Sequence, residues 1–99
     1  MRLGEQLKLL REQRSLLQRE IAAELKIDTP MYSKIEGGTR RAKKQQVLQL
    51  ATFLNIKEEV LISIWLADQI VDLLKDEKYG QHGLLIAGKD LYPNHKAWK

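Results

Sequence analysis

Apolar residues recur at spacings of three and four along most of this chain, and almost nowhere at the alternate-residue spacing of a strand. In "LGEQLKLLREQR", Leu3, Leu7 and Leu10 share one face while Glu5, Lys8, Arg11 and Glu12 take other directions. Leu17, Ile21, Ala22 and Leu25 form the stripe of a second helix in "LQREIAAELK". Val47, Leu50, Ala51 and Leu54 do the same in "QQVLQLATFLN". Such a pattern is satisfied by an all-α fold. With 99 residues, 43 % of them hydrophobic, there is enough chain for one compact core and too little for two ordinary domains.

Between the second stripe and "QQVLQLATFLN" lies "IDTPMYSKIEGGTRRAKKQQ". Asp28 and Thr29 are good N-cap residues, and Pro30 is tolerated only in a first helical turn. Gly37 and Gly38 read as a helix C-terminus, so this third helix is about two turns long. Tyr32 and Ile35 anchor its inner side. Thr29, Pro30 and Met31 at its head are small or apolar groups able to touch a thymine methyl, and Ser33 and Lys34 can hydrogen-bond a base or a phosphate. The wet side of any short helix would carry the same residues, so the surrounding pattern has to decide.

The fifth apolar segment, "EEVLISIWLADQIVDLLKDEKY", differs from the others. One stripe is Val60, Ile64, Ala67, Val71 and Leu74; a second is Ile62, Leu66, Ile70 and Leu73, with Trp65 beside them. A helix apolar over most of its circumference has more than one face to bury, and a domain this small covers only one. The second stripe is therefore expected to meet another subunit, with Trp65 in the core and partly at that interface. Beyond Tyr79 the apolar run is short and broken by glycines. Residues 1–79 are accordingly read as the domain, and 80–99 as a short helical or arm-like extension with frayed ends and a Trp98 either exposed or caught by a neighbouring chain.

Charge is unevenly spread. Residues 1–56 hold eleven Lys or Arg against six Asp or Glu, whereas residues 57–99 hold six against seven. A basic front half suits a polyanionic partner. There is no cysteine, so no disulfide or thiolate metal site. No apolar run reaches the ~20 residues of a bilayer span, and the N-terminus lacks a signal-peptide block, so a cytoplasmic, nucleoid-associated chain is the expectation. His82 and His95 lie thirteen residues apart with no carboxylate at ligand spacing, and Ser15, Ser33 and Ser63 have no histidine and acid arranged around them. Neither an enzyme, a metal, a cofactor nor a small-molecule ligand is expected.

From Leu17 to Leu61 the chain resembles the phage-repressor helix-turn-helix family, also called XRE or Cro/cI. The matching words are "LQREIAAEL", "DTPMYSKIEGGTRRAKKQQ" and "VLQLATFLNIKEEVL". The resemblance implies a five-helix, lambda-repressor-like DNA-binding domain whose third helix enters the major groove. It places Thr29, Pro30 and Lys34, with Ser33 beside them, against base edges. It sets Gln18 on the DNA backbone, Gly37 and Gly38 where backbone amides approach a phosphate, and Arg40, Arg41, Lys43 and Lys44 as the backbone clamp. It pairs Arg11 with Glu36. It also implies a homodimer on an inverted repeat in double-stranded DNA, in the manner of restriction-modification controllers and phage repressors. The competing reading is a protein-binding module on the same scaffold, such as an antitoxin or a coactivator, with the long fifth helix as its working surface. Departures from the family are Lys26 in place of the usual turn glycine, Lys57 in place of a Ser or Thr cap, and Pro30, which cannot donate a hydrogen bond.

Overall fold

The computed structural model describes residues 2–98, which form helices and no strand. In chain order these are α1 (Arg2–Gln13), α2 (Gln18–Leu25), α3 (Thr29–Gly37), α4 (Lys44–Phe53), α5 (Glu58–Leu74) and α6 (Gly80–Leu91), with a closing 3-10 turn over Lys96–Trp98. Five helices and a short extension were expected; the extension is a full three-turn helix followed by a turn. None of the described helices is long and apolar enough to cross a membrane. The chain divides into two compact units that meet between Asp68 and Gln69, within α5.

The first unit is built on the stripes that the spacing predicts, except that Leu17, read as part of the second stripe, precedes α2 as its N-cap and is exposed. Leu3, Leu7 and Leu10 of α1, Ile21, Ala22 and Leu25 of α2, Tyr32 and Ile35 of α3, and Val47, Leu50 and Ala51 of α4 are all buried together. Ala42, Leu54 and Leu61 complete the core. α1 crosses α3 closely because residue 4 is glycine. A Cβ there would lie 2.8 Å from the Ile35 carbonyl oxygen and nearer still to that of Glu36.

The helix ends follow local chemistry. The Asp28 carboxylate accepts from the Met31 N–H at 2.7 Å and caps α3, with Pro30 in the first turn. Gly38, at φ 82°, stops α3 in the left-handed conformation. At α2, Leu17 has no side-chain acceptor, so the helix start relies on Glu20 taking the Leu17 N–H at 3.0 Å. Gln46 does the same for the Lys43 N–H at 2.8 Å.

The side that α5 turns inward overlaps only in part with the stripe read in the sequence, of which Ile64 packs against the core. Leu61 and Asp68 are its buried residues, while Val60 and Val71 are exposed. Two tertiary bonds set this rotation. The Trp65 indole N–H donates to the Ala42 carbonyl at 2.7 Å. The Asp68 carboxylate accepts from the Arg2 and Leu3 N–H groups, each at 3.0 Å, and so caps α1 from a distance. Leu61, Trp65 and Asp68 are spaced by four and three, which is one helical face. Because that face carries a carboxylate, apolar periodicity alone points elsewhere.

In the second unit, α5 ends at Leu74, earlier than Tyr79. Trp98, expected to be exposed or caught by a neighbouring chain, folds back onto α6 of its own chain. Its indole lies where a Cβ on Gly88 would be, so this packing requires glycine. Its ring nitrogen is buried with no partner among the described residues. His82 stands edge-on to Tyr79, and the His95 Nδ1 accepts from the Ala97 N–H at 3.0 Å.

Candidate nucleic-acid interface

α2 and α3 meet through a turn of three residues, Lys26, Ile27 and Asp28. The turn closes by the Lys26 N–H donating to the Ala23 carbonyl at 3.1 Å and the Ile27 N–H to that of Ala22 at 3.0 Å. Lys26 sits at φ 58° and ψ 42°, the left-handed conformation that glycine adopts more cheaply, by about 1 kcal/mol. The corner is therefore kept with a lysine in it. Ile27 tucks partly against the core.

α3 is sorted cleanly into two sides. Tyr32, Ile35 and Glu36 are buried, whereas Thr29, Pro30, Ser33 and Lys34 are exposed on the side away from the core. Its C-terminal end is closed by the Gly38 N–H on the Ile35 carbonyl and by the Thr39 and Arg40 N–H groups on that of Lys34, at 3.0–3.2 Å. Gly37 needs neither a positive φ nor space inside the protein, since a Cβ there would meet nothing within 4 Å. Arg40, Arg41, Lys43 and Lys44 follow, all exposed, and the last two stand at the N-terminal end of α4.

A free Glu36 would set a negative charge at the end of α3, just ahead of the cations Arg40, Arg41, Lys43 and Lys44. It is instead the hub of a network. Arg11 Nε donates to its Oε2 at 2.8 Å and Arg11 Nη2 to its Oε1 at 3.0 Å, the fork geometry that makes Arg–carboxylate pairs strong. Arg11 Nη1 reaches the Leu16 carbonyl at 2.9 Å, and the Gln18 amide donates to Glu36 Oε1 at 3.2 Å. One carboxylate thus ties α1, the start of α2 and α3. Burial by itself pushes the Glu36 ionisation upward, but the Arg11 guanidinium foremost, with the Gln18 amide, holds it below the ordinary glutamate value. Arg11 is raised above its ordinary value, chiefly by the hydrogen bond to Glu36. Burial, then the nearby Glu36 charge, drives the Tyr32 hydroxyl well above the usual tyrosine value.

The structure therefore brings Arg11, Gln18 and Glu36 together, sets Thr29, Pro30, Ser33 and Lys34 on one open side of α3, and strings the four cations beyond it. Sequence reasoning missed Lys8, which lines a cleft of about 470 Å³ with Arg11, Gln18, Ser33, Glu36 and Gly37. Its place on the outer side of α1 gave no periodic signal of that role. Of the four residues read as a subunit interface, Ile62 packs partly on the core, and Leu66, Ile70 and Leu73 are exposed. Among the described residues, no group of three His, Asp or Glu side chains is placed to hold a metal.

Two short helices joined by a three-residue corner, the second presenting a polar side, define a helix-turn-helix DNA-binding domain. The sequence pattern of a helix-turn-helix domain family matches the chain over residues 2–61, and the chain belongs to that family. The match covers α1 to α4 and the start of α5. No curated protein and no solved structure matches the chain.

Proposed function

We propose that this protein is a sequence-specific transcription regulator of the phage-repressor (XRE, Cro/cI) kind, binding double-stranded DNA as a homodimer on an inverted repeat. α3 enters the major groove, Thr29, Pro30, Ser33 and Lys34 face the base edges, and Gln18 meets the sugar-phosphate backbone beside the groove. Gly37 and Gly38 let a phosphate approach the backbone amides, and Arg40, Arg41, Lys43 and Lys44 clamp the strand. The subunits meet through the exposed stripe of α5 around Leu66, Ile70 and Leu73, with Ile62 at its edge.

The observation that carries this proposal is the treatment of charge around α3. The acid of the helix, Glu36, is neutralised by Arg11 inside the fold, while the cations beyond the helix stay on the surface. Two of them stand where they harm the free protein. Lys43 and Lys44 occupy the N-terminal end of α4, whose dipole disfavours a cation by a few tenths of a kcal/mol. A bound phosphate reverses that sign. Gly37 adds a similar argument, since nothing within the fold requires glycine there.

The alternative is a protein-binding module of antitoxin or coactivator type. It is favoured by one observation, the exposure of Leu66, Ile70, Val71 and Leu73 along α5. A partner-only module gives no reason to gather cations beyond α3.

Selection of bound fragments from genomic DNA by the purified protein at moderate salt, followed by footprinting, separates the two. An inverted repeat with half-sites spaced by one helical turn, roughly 34 Å, is the expected result. An operator upstream of its own gene and of a methyltransferase or endonuclease gene would place it as a restriction-modification controller. Uniform, salt-labile binding with no preferred site would leave only a tether and favour the module. Changing Thr29 or Lys34 should alter which base pairs are preferred; equal loss on all operators would move them to the backbone.

A further inference from the structure

Lys8 is a cation that neither the core nor the contacts proposed so far account for. It stands exposed on the outer side of α1, next to the buried Leu7. Glu5 lies three residues before it and Glu12 four after it, the spacings at which helical charges pair. Among the described residues its ammonium nevertheless makes neither an ion pair nor a hydrogen bond. It lines instead the cleft of about 470 Å³ to which α1, the start of α2 and α3 all contribute. Two of the charges in that cleft are committed to each other, since Arg11 and Glu36 form the forked pair and their side chains are only 13 % and 3 % exposed. Among the other described residues that line it, Lys8 is the one cation and Glu5 the one acid, beside Gln18, Ser33 and Gly37.

We propose that Lys8 is a further DNA contact, gripping a backbone phosphate from α1. This rests on the DNA-binding reading above and extends its surface to a helix that the reading leaves out. The neighbours of Lys8 carry the inference. Gln18 and Gly37 are the two cleft residues proposed to meet the sugar-phosphate backbone, and Ser33, between them in the same cleft, is proposed to face the bases. A strand that touches Gln18 and Gly37 together runs across the mouth of the cleft, where Lys8 is the cation left to meet it. Phosphate suits an ammonium, which acts as a point charge and needs no fixed bonding plane, while the base-facing positions belong to α3. Glu5 makes Lys8 necessary. Lys8 and Arg11 together balance Glu5 and Glu36, so a cleft without Lys8 would hold two acids against one cation and would repel the strand beside its own backbone contacts.

The test is binding of two labelled duplexes, the selected operator and an unrelated sequence, over a series of salt concentrations. It compares the wild-type chain with Lys8→Gln, with Glu5→Gln and with the double variant Arg40→Ala, Arg41→Ala. Gln is close to Lys and Glu in helix propensity, so the two single changes at exposed positions should leave the thermal midpoint unmoved. Lys8→Gln is expected to weaken both duplexes alike, by roughly fivefold at about 0.15 M salt, and to flatten the slope of log K against log salt by about 0.9, the share of one phosphate. Glu5→Gln is expected to strengthen binding to both, a sign that loss of folding cannot produce. A slope unchanged by Lys8→Gln but flattened by the double variant overturns this inference and leaves the DNA-binding reading standing. So does a change in which base pairs are preferred, which would make Lys8 a base contact. A lowered thermal midpoint with an unchanged slope also overturns it, and gives the charge to the C-terminal end of α3. Wild type that binds neither duplex overturns the DNA-binding reading and this inference with it.

Discussion

Replacing Glu36 by Gln tests whether the Arg11–Glu36 network holds the first unit together. The substitution keeps the shape and removes the charge, leaving Arg11 with the Leu16 carbonyl and one neutral amide oxygen. Stranding one partner of a fully buried pair costs about 3–5 kcal/mol. The Glu36 side chain is 3 % exposed, but that of Arg11 keeps 13 % of its exposure and its bond to Leu16, which brings the expected loss to about 2 kcal/mol. For a chain of this size the unfolding entropy is about 0.2 kcal/mol per degree, so the thermal midpoint should fall by roughly 10 °C. Thermal unfolding followed by circular dichroism at one fixed protein concentration measures it; the fixed concentration holds any contribution from subunit association constant between wild type and variant. The sign of the pH dependence is a second readout. Glu36 ionises below the ordinary glutamate value of 4.5, so its contribution is complete above that pH and disappears as the pH falls through the lower, folded value. The wild type and Glu36→Gln should therefore converge in acid. A midpoint within about 2 °C of wild type at neutral pH, or a gap that does not close in acid, would refute the reasoning.

Gly4→Ala should cost about 1–3 kcal/mol in the same unfolding assay, since its methyl group meets the Ile35 and Glu36 carbonyls and α1 has to move off α3. Lys26→Gly should do the reverse and stabilise by about 0.5–1 kcal/mol, because it relieves a left-handed lysine on an exposed turn. Asp68→Ala removes the cap of α1 and should cost about 2 kcal/mol, with early amide-exchange loss at Leu3. Arg40→Ala with Arg41→Ala should weaken binding to all DNA sequences alike and flatten the dependence of log K on log salt by roughly two contacts; an unchanged slope would take both off the phosphates.

What could be read in the chain beforehand was what neighbours in sequence decide. α3 begins and ends where Asp28, Pro30 and Gly38 make it, because caps act within one turn, and α1, α2 and α4 bury the stripes their spacing lays down, apart from the exposed Leu17 ahead of α2. What could not be read was fixed by partners far along the chain. The side that α5 buries depends on the Ala42 carbonyl and the α1 N-terminus, neither of which leaves a mark in the periodicity of α5. Gly4 and Gly88 look like any helix glycine until the Glu36 carbonyl and the Trp98 indole are seen against them.

The acid in α3 explains why the proposed reading surface can be so small. α3 is nine residues long and offers only Tyr32 and Ile35 as fully buried apolar anchors, which is a weak hold for a helix proposed to present side chains to bases at a fixed angle. Glu36 supplies the missing constraint by binding across to α1 and to Gln18 at the head of α2. Gln18 is also the residue proposed to meet the DNA backbone, so on that reading one carboxylate sets the orientation of the base-facing helix and of a backbone contact together. Loss of Glu36 should then weaken operator binding even well below the melting temperature, where almost every molecule is folded, and more for the operator than for unrelated DNA. Equal weakening on both would mean that the network serves stability alone.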